Sequence, residues 1–281
     1  MMTRRESQTA RIVEELPMGQ IVAPAWPESF FITNLSGPTG KYGALFPFAY
    51  DEAAARAMAS GGGPLVHVWR HSRAFVVGLR DRRLPYAEPA IRWLQTCGYD
   101  TVVRNSGGAA VPLDRGVVNL SVILPNPQHR IDFRSDFLRV AELLAEVLAP
   151  WNAEIAVGEI AGSYCPGDYD VSIGGRKFCG IAQRRQIGGF AVQAFVVVEG
   201  SGAERARLVR GFYERAAGGA VSGRDFPQVE ESKTASLAEL VGYPSADAFE
   251  RELVTRLQAR GGILLPPDAP ELGVSEEAVL S

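Results

Sequence analysis

Along the chain, stretches with a two-residue hydrophobic period alternate with stretches whose apolar positions recur every three to four residues. Residues 49–60 (AYDEAAARAMAS) carry the helical pattern and stop at Gly61-Gly62-Gly63-Pro64. Two short β-rich runs follow at 65–69 and 74–78. Residues 89–97 read as a helix closed by Gly98, and 100–104 as a short strand. That strand runs into a small-residue loop, 105–110, ahead of a strand at 117–124. In 133–148, Phe137, Val140, Leu144 and Val147 fall at helical spacing, and Pro150 ends the run. Three further β runs, 169–173, 177–185 and 190–198, are joined by Gly174-Gly175 and Gly188-Gly189, which predicts an antiparallel meander. Residues 203–217 and 246–260 read as helices.

Hairpins and helices are interleaved, with no repeating strand–helix–strand unit. The pattern predicts an α+β (mixed α/β) fold with a largely antiparallel or mixed sheet flanked by helices. Residues 1–41 read as an irregular N-terminal extension, 42–245 as one continuous domain, and 246–281 as an appended helix and tail. The last twenty residues, from Gly262, hold two consecutive prolines and an acidic end and are expected to be loosely held.

Composition narrows the function. With 46% hydrophobic and 22% charged residues, 281 residues can bury a site without disulfide or metal staples. The net charge is −3 and no basic stripe stands out, which argues against a nucleic-acid partner. The three cysteines, Cys97, Cys165 and Cys179, form no CxxC pair. Neither a disulfide framework nor a metal site is expected, and a reducing, cytoplasmic setting is. The charged N-terminus has no apolar run behind it, and no stretch approaches the ~20 apolar residues of a membrane span. His67, His71 and His129 lack metal-ligand spacing, and His67 alternates with apolar neighbours as a packed residue does.

Three segments could carry chemistry. In Arg104-Asn105-Ser106-Gly107-Gly108-Ala109-Ala110-Val111, adjacent glycines let backbone N–H groups approach a ligand oxygen. An acyl-transfer site needs such donors where a carbonyl gains charge. Cys165 precedes Pro166 and Gly167 at a strand mouth, where substrate can reach a thiol. Lys177 opens the strand that hairpins back towards Cys165, and an ammonium beside a thiol favours the nucleophilic thiolate. Each has a plain structural reading as well. Gly-Gly is commonly a turn, a free cysteine a small buried hydrophobe, and a strand lysine a solvated charge. Cys97 and Cys179 are read as core.

RNSGGAAVPLDRGVVNLS resembles the substrate loop of the lipoate–protein ligase and octanoyltransferase superfamily, and GRKFCGIAQRR resembles its lysine motif. GSYCPGDYDVSIGGRKFCGIAQRR is most similar to one branch, the octanoyl-[glycine-cleavage H protein]:protein N-octanoyltransferases. The resemblance covers about residues 42–245, which it identifies as a catalytic domain of the biotin and lipoate ligase type. It implies Cys165 as the acyl-thioester nucleophile and Lys177 as the residue that activates it. It also implies that Arg104, Gly107, Gly108 and Ala109 line the acyl and lipoyl-lysine pocket, with Gly180 close to the acyl carbonyl. The donor would be the octanoylated H protein and the acceptor the lipoyl-domain lysine of E2 subunits of 2-oxoacid dehydrogenases.

One lysine amide is broken and an equivalent one made, so no cofactor and no ATP would be needed. Ala109 stands where many ligases have a third glycine, Leu113 where they have a histidine, and Cys179 where a small residue such as alanine is expected. The first two departures count against an ATP-dependent ligase. Alternatives are an octanoyl transferase fed by acyl carrier protein, an ATP-dependent ligase, and a non-catalytic module that binds lipoyl domains. Val66, Val68, Val76, Leu120 and Val122 are candidates for an acyl tunnel, or equally for core.

Overall fold

The structure, a computed structural model, describes residues 16–17, 25–36, 43–126, 133–218, 226–274 and 279. The strands are β1 (Leu16–Pro17), β2 (Phe30–Asn34), β3 (Leu65–Trp69), β4 (Arg73–Val77), β5 (Asp100–Val103), β6 (Val111–Asp114), β7 (Val117–Pro125), β8 (Ile155–Val157), β9 (Val171–Ile173), β10 (Arg176–Arg185), β11 (Gly189–Val197) and β12 (Gly262–Leu265). The helices are α1 (Phe46–Ala57), α2 (Ala87–Thr96), α3 (Phe133–Leu148), α4 (Gly202–Ala217), α5 (Leu237–Val241) and α6 (Ala246–Ala259). Among the described residues, nine strands form one sheet in the order β1-β8-β9-β10-β11-β7-β3-β2-β12, and β5-β4-β6 form a smaller one.

The meander is present: β9, β10 and β11 are consecutive antiparallel neighbours, turned through Gly174 and Gly175 at φ 57° and 70°. Both sheets are mixed, because β12, β2 and β3 run parallel, as do β4 and β5. α1 begins three residues earlier than its pattern predicts, with Pro47 in its first turn, where a missing N–H leaves no bond unmade. α4 and α6 are capped by Ser201 and Ser245, whose hydroxyls accept from the N–H of Glu204 and Ala248.

β7 decides where the site lies. Eight of its nine residues are buried, because both faces of the sheet are covered. Val118, Leu120, Val122 and Leu124 face the core under α3 and α6, while Asn119 and Ser121 line a cavity on the other side. This alternation separates the two readings, tunnel and core, of the apolar candidates. Val66, Val68, Leu120 and Val122 pack in the α3/α6 core, and Val76, on the small sheet, is the candidate that lines the cavity.

The described parts of both terminal segments are built into the fold more deeply than the pattern suggests. α6 buries Phe249, Leu253 and Leu257 against the core rather than hanging from it. β2, in the segment read as irregular, and β12, in the segment read as a loosely held tail, pair with each other at the sheet margin. Four- and five-residue strands carry too few positions for the two-residue period to register. Leu272 and Val274 of the expected tail are buried too, while 275–278 and 280–281 lie outside the described residues.

Candidate active site

Cys165 occupies a left-handed backbone conformation, φ 48°, which a residue bearing a Cβ pays about 1 kcal/mol to adopt. Its neighbours hold it there. Lys177 Nζ donates to the carbonyl oxygens of Cys165 at 2.5 Å and Tyr164 at 3.0 Å, and pairs with Asp170 Oδ1 at 2.8 Å. An ammonium has three donors, and all three are engaged. Lys177 is fully buried beside Phe195, whose ring centroid is 5.4 Å from Nζ, and Asp170 is buried with it. Asp170 also accepts from the N–H of Gly167 at 3.2 Å, which ties down the turn on the other side of the cysteine. Burial pushes the Asp170 carboxyl above its ordinary range, against the opposing pull of the Lys177 ammonium.

The Cys165 sulfur is met from the glycine loop. Sγ accepts from the backbone N–H of Ala109 at 3.2 Å and from Arg104 Nη2 at 3.4 Å, and Arg104 Nη2 also donates to the Ala109 carbonyl at 2.8 Å. Gly108, at φ 99°, must be glycine. A Cβ there would lie 2.4 Å from Arg104 Nη2 and 2.9 Å from the sulfur. Gly180 is required for a separate reason, since its Cβ would meet the Phe195 ring at 2.5 Å and Lys177 Cε at 3.1 Å.

The loop is anchored from behind by two residues with no sequence signal. Tyr213 of α4 accepts from the N–H of Ala110 at 3.1 Å and donates to Asp81 at 3.1 Å, and Asp81 accepts from the N–H of Gly78 at 3.0 Å. Burial raises the titration of both, Asp81 above the carboxylate range and Tyr213 well above the phenol range, so at neutral pH Tyr213 is a phenol.

The sulfur opens into a cavity of about 420 Å³ between the large sheet and the small one. Arg104, Gly107, Gly108, Cys165 and Gly180 line it, with Phe48, Trp69, Val76, Leu113 and Phe195 as apolar wall and Asn119, Ser121 and Gln193 as polar wall. The volume falls within the range of small-ligand sites. Among the described residues no group of three His, Cys, Asp or Glu side chains could hold a metal ion, and no helix is long and apolar enough to cross a membrane.

The structure therefore brings together the site residues expected from sequence, Ala109 through its backbone N–H. The part played by Lys177 differs from expectation. Its ammonium grips the backbone carbonyls of the nucleophile's turn, and the donors at the sulfur are Arg104 and Ala109. Cys179 is fully buried, and burial pushes its thiol far above the ordinary range. Asp170, Asp81 and Tyr213 have no pattern of their own to mark them. Asp170 stands immediately before β9, within the segment from Cys165 to Lys177 that carries the family resemblance, and that placement is the one signal that could have pointed to it.

These features define a domain built to present a single thiol at the mouth of a cavity with one apolar and one polar wall. The sequence profile of the lipoyl protein ligase A/B catalytic domain matches residues 43–258. The fold is similar to a lipoate-protein ligase A bound with ATP (TM-score 0.63, 19% identity, 89% of this chain and 90% of that one). It is also similar to the bipartite lipoate protein ligase of Thermoplasma acidophilum (TM-score 0.61, 20% identity, 89% of each chain). At that identity the likeness speaks for fold alone.

The octanoyl-[GcvH]:protein N-octanoyltransferase of Geobacillus kaustophilus is 44% identical over 229 residues, 79% of this chain and 81% of that protein. The enzyme of the same name from Anoxybacillus flavithermus is 42% identical over 232 residues, 82% and 83% of the two chains. The chain belongs to this family of acyltransferases, the octanoyl-[GcvH]:protein N-octanoyltransferases within the lipoyl protein ligase A/B group.

Proposed function

We propose that the protein moves an octanoyl group from the lysine of the octanoylated glycine-cleavage H protein to the lipoyl-domain lysine of E2 subunits, through a thioester on Cys165. The observation that carries this reading is the Cys165 sulfur itself, set in a left-handed turn at the cavity and faced by two hydrogen-bond donors. A purely structural cysteine has no reason to hold a strained backbone conformation at an opening. The names of the relatives support the donor.

In the first half-reaction the thiolate attacks the amide carbonyl. Charge leaves sulfur and gathers on the carbonyl oxygen, and the donors that faced the sulfur, Arg104 and the Ala109 N–H, are then free to serve the oxyanion. The C–N bond breaks, the H-protein lysine departs as an amine carrying the proton the thiol gave up, and the octanoyl chain remains as a thioester. In the second half the acceptor lysine, as the free amine, attacks that thioester, the C–S bond breaks with the thiolate as leaving group, and the proton the amine sheds returns to the sulfur to restore the thiol. Lys177 acts as a positioning residue in this scheme. It holds the Cys165 carbonyl, and its three N–H bonds are already committed. Arg104, Gly108, Ala109 and Gly180 shape the place where the acyl carbonyl sits, and Gly107 borders the cavity at its exposed side.

Intact mass spectrometry after mixing with octanoyl-H protein tests the reading. The expected result is an octanoyl increment that hydroxylamine removes and that is absent from Cys165→Ser. Acceptor modification that requires ATP and survives Cys165→Ser would overturn it.

A further inference from the structure

The cavity has a second end, and its chemistry is unlike that of an acyl site. On the sheet face it shares, paired residues stand in rows: Trp69, Asn119 and Phe195 in one, His67, Ser121 and Gln193 in the next. Successive rows lie two residues apart, about 6.7 Å along the strands. The first row belongs to the reacting end, because Phe195 stacks on Tyr164, beside Cys165, at 5.8 Å between centroids. A third row, Leu65, Ile123 and Ala191, is packed under α1, so the open space stops at the second.

That second row is tied to a buried carboxylate. Asp51 of α1 accepts from Ser121 Oγ at 2.6 Å and from Gln193 Nε2 at 2.6 Å, and is bonded to His67 Nδ1 at 2.7 Å. Asp51, His67 and Ser121 are 1%, 0% and 2% exposed. Three buried polar atoms nearby, Gln193 Oε1, His67 Nε2 and Trp69 Nε1, have no hydrogen-bond partner among the described residues. Trp69, Ser121 and Gln193 themselves line the cavity. Buried polar atoms without protein partners need water or a polar group of a ligand. A carbon chain that reaches the second row removes the water and replaces it with nothing they can bond.

We propose that the Asp51-held row of Ser121 and Gln193 sets the upper length of the acyl group by desolvation, so that the chain ends before this row. The inference rests on the reading above, in which the acyl chain occupies this cavity. It also sets this wall apart from a steric stop. A longer apolar chain is refused, while a chain of acceptable length carrying a terminal hydroxyl is tolerated because the hydroxyl satisfies the wall.

The test is thioester formation on Cys165, read by intact mass as initial rates, with octanoyl, decanoyl and 8-hydroxyoctanoyl groups on the H-protein lysine. The wild-type protein is expected to favour octanoyl over decanoyl by roughly tenfold or more, the scale of an unpaired buried polar group, and to use 8-hydroxyoctanoyl within a few-fold of octanoyl. In Gln193→Leu the decanoyl-to-octanoyl ratio should rise about tenfold while the hydroxylated donor is lost, and Ser121→Ala should move both in the same direction. Ratios taken within one variant are independent of how much of it folds. Unchanged ratios in both variants overturn the proposal, as does rejection of 8-hydroxyoctanoyl as strong as that of decanoyl, which marks a wall of size alone. Absence of any acyl group on Cys165 overturns instead the reading on which the proposal rests.

Discussion

The Nζ of Lys177 lies 2.5 Å from the carbonyl oxygen of Cys165, twelve residues back along the chain, and fixes the backbone of that cysteine rather than its sulfur. The carbonyl it holds belongs to a residue at φ 48°. The pair converts a buried ion, itself balanced by Asp170, into a clamp on one strained turn.

Removing the clamp should separate stability from rate. Lys177→Met leaves the Asp170 carboxylate buried without its cation, a loss of about 3–5 kcal/mol. Adding Asp170→Asn should recover most of that in urea unfolding, because the unpaired charge is gone. Acylation of Cys165 should stay impaired in the double variant, since nothing holds the two carbonyls. Recovery of wild-type acylation in the double variant would show that the clamp is dispensable.

The left-handed turn supplies a comparison internal to one position. Cys165→Gly and Cys165→Ala both lack the sulfur, and both should fail to take up acyl. Glycine relieves the backbone strain, so it should be the more stable of the two by about 1 kcal/mol in chemical denaturation. Equal stabilities would mean the turn is not strained in solution.

A methyl group added at Gly108 should cost stability, through its left-handed backbone, and chemistry as well. It enters the space between Arg104 and the sulfur, at 2.4 Å and 2.9 Å, from a backbone at φ 99°. Gly108→Ala should lower the acylation rate by at least about a hundredfold, the effect of losing one oxyanion donor. Gly107→Ala, at an exposed residue with open space around its Cβ position, should be close to neutral in the same assay.

The three thiols should differ in reactivity. Burial pushes the Cys179 thiol up and closes it from solvent, whereas Cys165 borders the cavity. In a Cys97→Ser background, a disulfide reagent at pH 8 should find one reactive thiol in the folded protein and a second only after unfolding. Fast labelling of Cys179 in the folded state would contradict the packing around β10.

His71 should make stability fall in mild acid. Burial lowers its titration, with Asp100 at 3.6 Å opposing, and its Nδ1 accepts from the N–H of Arg73 at 3.0 Å. Because the folded-state value is depressed, the stabilisation is fully present above about pH 6.5, the unfolded value, and is lost as pH falls through the folded value. The urea midpoint should drop between pH 7.5 and pH 5 by more in the wild-type protein than in His71→Gln.

How far the sequence carries can be seen residue by residue. Cys165, Lys177 and the glycine loop are visible because their three segments together resemble the motifs of a known family, whereas each taken singly reads equally as a core thiol, a solvated charge or a turn. The clamp is not visible, because a lysine on a strand looks the same whether its nitrogen is solvated or buried against two carbonyls. Tunnel and core residues look alike in the sequence for a related reason. β7 is apolar at most positions, and alternation alone does not say which face meets helices and which meets a cavity. Ser121 and Asn119 are the polar residues that break its run, and they mark the cavity face. Asp81 and Tyr213 meet across 132 residues, and Asp51 meets Ser121 and Gln193 across 70 and 142, separations that no local pattern records.

β2 lies between β3, reached some thirty residues later, and β12, contributed by Gly262–Leu265. A chain emerging from the ribosome therefore presents the glycine loop, the nucleophile and the lysine strand while one side of β2 is still bare. The sheet that carries the cavity closes only when the final helix and strand arrive. Synthesis that halts after β11 would present the nucleophile and the lysine strand on an unfinished sheet, with the glycine loop still lacking its Tyr213 anchor.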